Sequence, residues 1–174
     1  ALALDYLKNY SDLLPRKTLH DLLSHSSLDI SNSALNVAGK RLDPYYLPAI
    51  ISNLKNIKIV QKTRSVLGLY NHTEVINALN EELVNGKEDL HLKLGVVKTL
   101  GTFPYVESFV ILRSQLNKNN LELSIACSDG LLKIAKTSEV ENQIQEPLTE
   151  EIKIFAKQYF TIHCFMDLLI DLDK

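Results

Sequence analysis

Three glycines impose the first constraint on this chain. Gly39, Gly68 and Gly101 each close an apolar helical pattern, at intervals of 29 and 33 residues. A second set of markers, Leu54, Leu83 and Leu116, trails each glycine by about fifteen residues and repeats the same two intervals. Four residues before those leucines stand Ile50, Leu79 and Leu112, and seven before stand Leu47, Ile76 and Phe109. Positions three, four and seven apart share one face of a helix, so the second half of each unit predicts a helix with the same apolar stripe. The first halves open alike, with Leu28 and Ile30, Ile57 and Ile59, Leu90 and Leu92, and Leu121 and Leu123 as matching apolar pairs. A glycine just past the last periodic residue predicts a helix stop in the left-handed conformation. A chain with this pattern folds by stacking helical pairs, because one pair cannot bury its apolar face alone.

The register bounds the array. Pairs fall near residues 1–26, 28–56, 57–88, 89–119 and, in part, 120–136. The first pair is the weakest: Leu19 and Leu23 keep the stripe, but Arg16 occupies a column that is apolar elsewhere and Lys8 stands where a glycine is expected. Beyond residue 136 the stretch from Thr137 to Pro147 is polar. Thr149 then offers an N-cap, Glu150 and Glu151 suit a first turn, and Ile152, Phe155, Tyr159, Ile162, Phe165, Met166 and Leu169 follow at helical spacing. Residues 137–174 therefore read as a linker and a C-terminal capping helix. Ala1-Leu2-Ala3-Leu4 already reads as mid-helix, which suggests a piece of a longer protein.

Composition narrows the function classes. The 174 residues are 45% hydrophobic and 23% charged, the profile of a folded globular chain. Nineteen Lys and Arg against twenty-one Asp and Glu leave a net charge of -2, without the basic excess of a nucleic-acid binder. The arginines are Arg16, Arg41, Arg64 and Arg113, few for two-point phosphate recognition. Cys127 and Cys164 read as buried thiols rather than a disulfide framework. No apolar run is long enough to span a bilayer. The triplets Asn9-Tyr10-Ser11 and Asn71-His72-Thr73 read as chance matches to the glycosylation pattern.

Helical pairs of about thirty residues with an apolar-x-apolar start, a small residue in the first helix and a Leu-Gly or Ala-Gly close resemble HEAT repeats, most of all the short bacterial type named after phycobilisome lyases. The resemblance covers residues 1 to about 136 and is strongest from Asp29 to Asn117. It implies an all-α, right-handed α-α superhelix of the HEAT or armadillo kind, closed by the C-terminal helix. More narrowly, Ala1-Leu2-Ala3-Leu4-Asp5-Tyr6-Leu7 and the Glu150-Glu151-Ile152 helix resemble the helices that bound the cytoplasmic HEAT block of bacterial nucleotide (ADP/ATP) carriers. That likeness implies a cytoplasmic module tethered to the inner membrane through a parent transport protein.

The residues offer little chemistry. His20, His25, His72, His91 and His163 show no spacing that places two ligands on one helical face, so neither a metal nor a cofactor is expected. His163 and Cys164 are adjacent and point about 100° apart on a helix, a poor nucleophile pair. Ser52-Asn53-Leu54-Lys55 matches the Ser-x-x-Lys spacing without its companion motifs, and Ser52 and Lys55 read as a solvated helix end. Glu81-Glu82, Glu150-Glu151, Asp171 and Asp173 read as solvated carboxylates.

Away from the apolar stripe, the second helices carry Tyr45, Pro48 and Ser52, then Glu74, Asn77 and Glu81, then Glu107, Val110 and Ser114. In a HEAT stack these positions line the concave side, mildly acidic and unsuited to phosphates. Tyr45, Ser52, Glu74, Asn77, Glu81, Glu107 and Ser114 are thus the candidate contacts for a protein partner or a neighbouring domain of the same chain. The expectation is a non-catalytic scaffold that binds no nucleic acid and inserts no segment into a membrane. The alternative is a HEAT-like enzyme, a DNA glycosylase or a lyase-type factor. A basic groove with a buried acid would mark the first, and a reactive thiol or groove carboxylate the second.

Overall fold

The computed structural model describes residues 14–85, 89–116 and 120–135, and among these every regular element is helical. The helices are α1 (Arg16–Leu23), α2 (Leu28–Arg41), α3 (Leu47–Ser52), α4 (Val60–Leu67), α5 (His72–Asn85), α6 (Leu90–Leu100), α7 (Val106–Gln115) and α8 (Leu121–Ala135). Short 3-10 turns, Pro44–Tyr46 and Asn53–Lys55, flank α3. The chain divides into two compact units, Ala1–Leu100 and Gly101–Lys174. Lys8, the helix expected from Thr149, His163, Cys164 and the carboxylates of Glu150, Glu151, Asp171 and Asp173 lie outside the described residues.

In the first unit the apolar columns form the core. Leu47, Ile50 and Leu54 are buried, as are Ile76, Leu79 and Leu83 on α5 and Leu19 and Leu23 on α1. Arg16, the departure from the column, is exposed at the start of α1. The paired apolar starts divide: Ile59 and Leu92 are buried, whereas Ile57 is 87% exposed in the turn that precedes α4.

Side-chain oxygens take up backbone N–H groups ahead of and at helix starts. Asn56 Oδ1 accepts from the Lys58 N–H at 3.1 Å in the turn before α4, and Asp89 Oδ1 accepts from the Leu92 N–H at 3.1 Å at the start of α6. Asn71 Oδ1 accepts from the Thr73 N–H at 3.0 Å, so this residue of the glycosylation triplet serves as a cap. Other polar side chains tie helices together. Asn53 Nδ2 donates to the Leu23 carbonyl at 2.9 Å. Arg64 Nε donates to Thr99 Oγ1 at 3.2 Å, and that buried hydroxyl donates to the Gly95 carbonyl at 2.7 Å. Burial lowers the Arg64 pKa from its ordinary value. Tyr70 donates its hydroxyl to the Ala38 carbonyl at 3.1 Å, and burial, then the nearby Asp43 and Tyr46, push its pKa upward.

The glycines act differently from the sequence expectation. Among the described residues none has a positive φ. Helix α2 continues through Gly39 to Arg41, and the left-handed residue is Leu42, at φ 52° and ψ 33°. Pro44 explains the shift: the residue before a proline is driven out of the helical region, and Asp43 is extended at φ -85° and ψ 118°. The helix must therefore end just ahead of Asp43, wherever the glycine lies. Gly68 does follow α4, but in right-handed geometry at φ -65°. Gly95 has the strictest requirement, inside α6. A Cβ there would lie 2.5 Å from the Leu54 carbonyl oxygen and 2.9 Å from its carbonyl carbon.

The second unit repeats these devices on a smaller scale. Phe109 and Leu112 of α7 are buried, with Leu123, Ala126, Cys127, Leu131 and Ile134 of α8. Asn120 Oδ1 caps α8 by accepting from the Leu123 N–H at 3.0 Å. Ser124 Oγ donates to the Leu116 carbonyl at 2.8 Å, as Ser31 Oγ of the first unit donates to the His25 carbonyl at 2.9 Å. Both serines tie the first turn of a helix to the end of the preceding one. A Cβ on Gly130 would lie 3.3 Å from the Gly101 Cα and 2.9 Å from Leu112 Cδ1, so Gly101 and Gly130 allow α8 to pack closely.

Candidate functional site

Helix geometry distributes the sequence-selected residues. On α5, Glu74, Asn77 and Glu81 are exposed and lie opposite the buried stripe of Ile76, Leu79 and Leu83. Ser52, at the end of α3, is half-buried and donates its hydroxyl to the Ala49 carbonyl at 2.8 Å. The neighbouring Lys55 is exposed. In the second unit, Glu107 and Ser114 are exposed on α7, where Ser114 donates to the Ile111 carbonyl at 2.7 Å. Glu74, Asn77 and Glu81 thus share one stripe, while Ser52 and Ser114 spend their hydroxyl protons on their own helices.

Tyr45 belongs to a different constellation. It is 44% exposed, and the Arg16 guanidinium carbon lies 4.3 Å from its ring centroid. His20 and Tyr46 approach the same ring at 5.4 Å and 5.5 Å between centroids. Arg16 Nη2 meets Asp43 Oδ1 at 2.6 Å, across 27 residues of sequence. Asp43 Oδ1 also accepts from the Tyr45 N–H at 3.0 Å, which caps the 3-10 turn. Arg41, at the end of α2, donates Nη1 to the Tyr46 hydroxyl at 2.8 Å and Nη2 to the Leu14 carbonyl. Arg16, Arg41, Asp43 and Tyr46, with Leu14 and Pro15, line an open cleft of about 440 Å³.

Electrostatics follow from this geometry. The Arg16 hydrogen bond holds the Asp43 carboxyl below its ordinary pKa, helped by the Tyr45 N–H and by the charges of Arg16 and Arg41. The same hydrogen bond raises the Arg16 pKa. Because the Asp43 pKa is lower folded than unfolded, its stabilisation is complete above the ordinary carboxylate range and is lost as the pH falls below that range through the lowered folded pKa. The pair is solvated, with side chains 58% and 28% exposed, so its contribution is small. Asp43→Asn should therefore cost less than about 1 kcal/mol near neutral pH. The difference from wild type should shrink in a series of urea denaturations as the pH falls below the ordinary carboxylate range. A difference that persisted in acid would assign the effect to the cap instead.

Leu42 holds this arrangement under strain. A bulky residue in the left-handed region costs about 1–2 kcal/mol. Its side chain is 43% exposed, so burial offsets little of that cost. Leu42→Gly should relieve the strain, lose some unfolded-state entropy, and still gain about 0.5 kcal/mol. The urea midpoint checks this, and a lower midpoint would mean that the Leu42 side chain matters more than its backbone.

The sequence reading singled out Tyr45 but missed Arg16, Arg41 and Asp43. The available signal was Arg16 itself, a cation in an apolar column. Its partner lay too far along the chain to be found by helical spacing. Among the described residues, no group of three or more His, Cys, Asp or Glu side chains could hold a metal ion, and no helix is long and apolar enough to cross a membrane. No known protein family, curated protein or solved structure matches the chain.

Proposed function

We propose that the chain is a non-catalytic helical-repeat module of the HEAT type, a scaffold that presents the exposed sides of its helices to a protein partner or a neighbouring domain. The observation that carries this reading is α5, where Ile76, Leu79 and Leu83 are spent on the core while Glu74, Asn77 and Glu81 stand clear of it. A right-handed superhelix follows if successive pairs stack in the register of the sequence, and the matching caps at Asp89 and Asn120 support that register. The likeness of the Ala1-Leu2-Ala3-Leu4-Asp5-Tyr6-Leu7 and Glu150-Glu151-Ile152 sequences to the borders of carrier HEAT blocks supports a cytoplasmic module within a nucleotide carrier-like transport protein. Hydrophobic spans encoded upstream of Ala1 would support that parentage, and a natural start codon at this position would remove it.

Charge reversal tests the surface. The triple variant Glu74→Lys, Glu81→Lys, Glu107→Lys should lose the partner captured by the wild-type chain, as read by quantitative mass spectrometry, while far-UV circular dichroism stays unchanged. Equal capture by both proteins would move the interface off these helices.

A further inference from the structure

We propose that the cleft between the start of α1 and the end of α2 binds a carboxylate whose adjacent carbon bears an N–H group, the end group shared by free amino acids and peptide C termini. This site is independent of the α5 stripe. Its cation is Arg16, whose guanidinium is held against the Tyr45 ring and meets Asp43 through Nη2. Among the described residues nothing accepts from Arg16 Nε or Nη1, so these donors can meet a ligand carboxylate. The acceptor is Asp43. Arg16 and the Tyr45 N–H both meet Oδ1, and among the described residues nothing bonds to Oδ2, which can take an N–H from the ligand.

Charge selects the ligand class. Arg16 and Asp43 set a cation and a carboxylate side by side in the cleft wall. That suits a ligand end that itself joins a carboxylate to an N–H group, whereas a phosphate dianion would also face the Asp43 carboxylate. Arg41 is fixed by Tyr46 and Leu14, so its charge is preorganised. Leu14, Pro15 and the Tyr46 ring offer an apolar wall for a side chain. Leu42 adds a separate pointer. It is the one non-glycine residue with positive φ among those described, and its turn brings Arg41 and Asp43 to the same cleft. Strained backbone of this kind concentrates at ligand clamps.

Titration of the full chain, followed by amide NMR shifts, tests the site with leucine, a peptide ending in leucine, and leucinamide. Saturable shifts at Arg16, Asp43 and Tyr45 are expected with the first two and not with leucinamide, which lacks the carboxylate. Tighter binding of the peptide would identify a C terminus as the ligand, and equal or tighter binding of leucine would identify the amino acid. Arg16→Gln, at an exposed position, should weaken binding at least about tenfold, the loss expected for one charge-assisted contact. Asp43→Asn keeps a capping side chain and should abolish the preference for leucine over isocaproate, which lacks the N–H group. Shifts that do not saturate, equal shifts with leucinamide, or affinity unchanged in Arg16→Gln would overturn the proposal.

Discussion

Gly95→Ala lowers the stability of the first unit by about 2 kcal/mol. Alanine is the better helix former, and in an open helix the exchange would gain about 1 kcal/mol. Here the added Cβ would meet the backbone of Leu54, 2.5 Å from its carbonyl oxygen. Backbone cannot rotate aside as a side chain can, so α6 must move away from the Asn53–Lys55 turn, and overpacking of this kind costs about 1–3 kcal/mol or more. Gly130→Ala is the control in the second unit. The nearest atom to its Cβ is Leu112 Cδ1, the tip of a side chain, and the nearest backbone atom, Gly101 Cα, is 3.3 Å away, so that variant should cost less than Gly95→Ala. Urea denaturation of the two variants separates them, and equal midpoints would show that α6 and the turn are not packed this tightly.

Leu79→Ala has the second large effect, a loss of about 3 kcal/mol. Leu79 is fully buried at the centre of the α5 stripe, and its removal leaves a cavity that the neighbouring helices fill only in part. Asn77, two residues away, is exposed, and Asn77→Ala should stay within about 0.5 kcal/mol of wild type. This contrast tests the repeat register directly. If the two variants had equal midpoints, the assignment of buried and exposed faces on α5 would be wrong, and the proposed contact stripe would fall with it.

Helical spacing made the core legible. Leu47, Ile50 and Leu54, with Ile76, Leu79 and Leu83, were recognisable as one recurring stripe because a period near 3.6 puts them on one face whatever they pack against. Polar side chains were harder to read. Asn71 matched a glycosylation triplet, yet its carboxamide caps α5. Asn53, between Ser52 and Lys55, carried no role in the sequence pattern, yet it reaches the carbonyl of Leu23. Such roles depend on which backbone groups are left unpaired nearby, and composition carries no record of that.

The sequence by itself determined that the described part of this chain is helical and which residues of the second-helix stripes face the core, since periodicity acts within a few residues. Only the tertiary structure decided what the glycines and arginines do. Gly39 marks no helix end because Pro44 dictates the exit from α2. Gly95 is required by the carbonyl of Leu54, and Arg16 meets Asp43 at a sequence separation of 27 residues. These are contacts between segments distant in sequence, set by how closely two backbones approach and where a strained Leu42 turns the chain, and no local pattern encodes either distance.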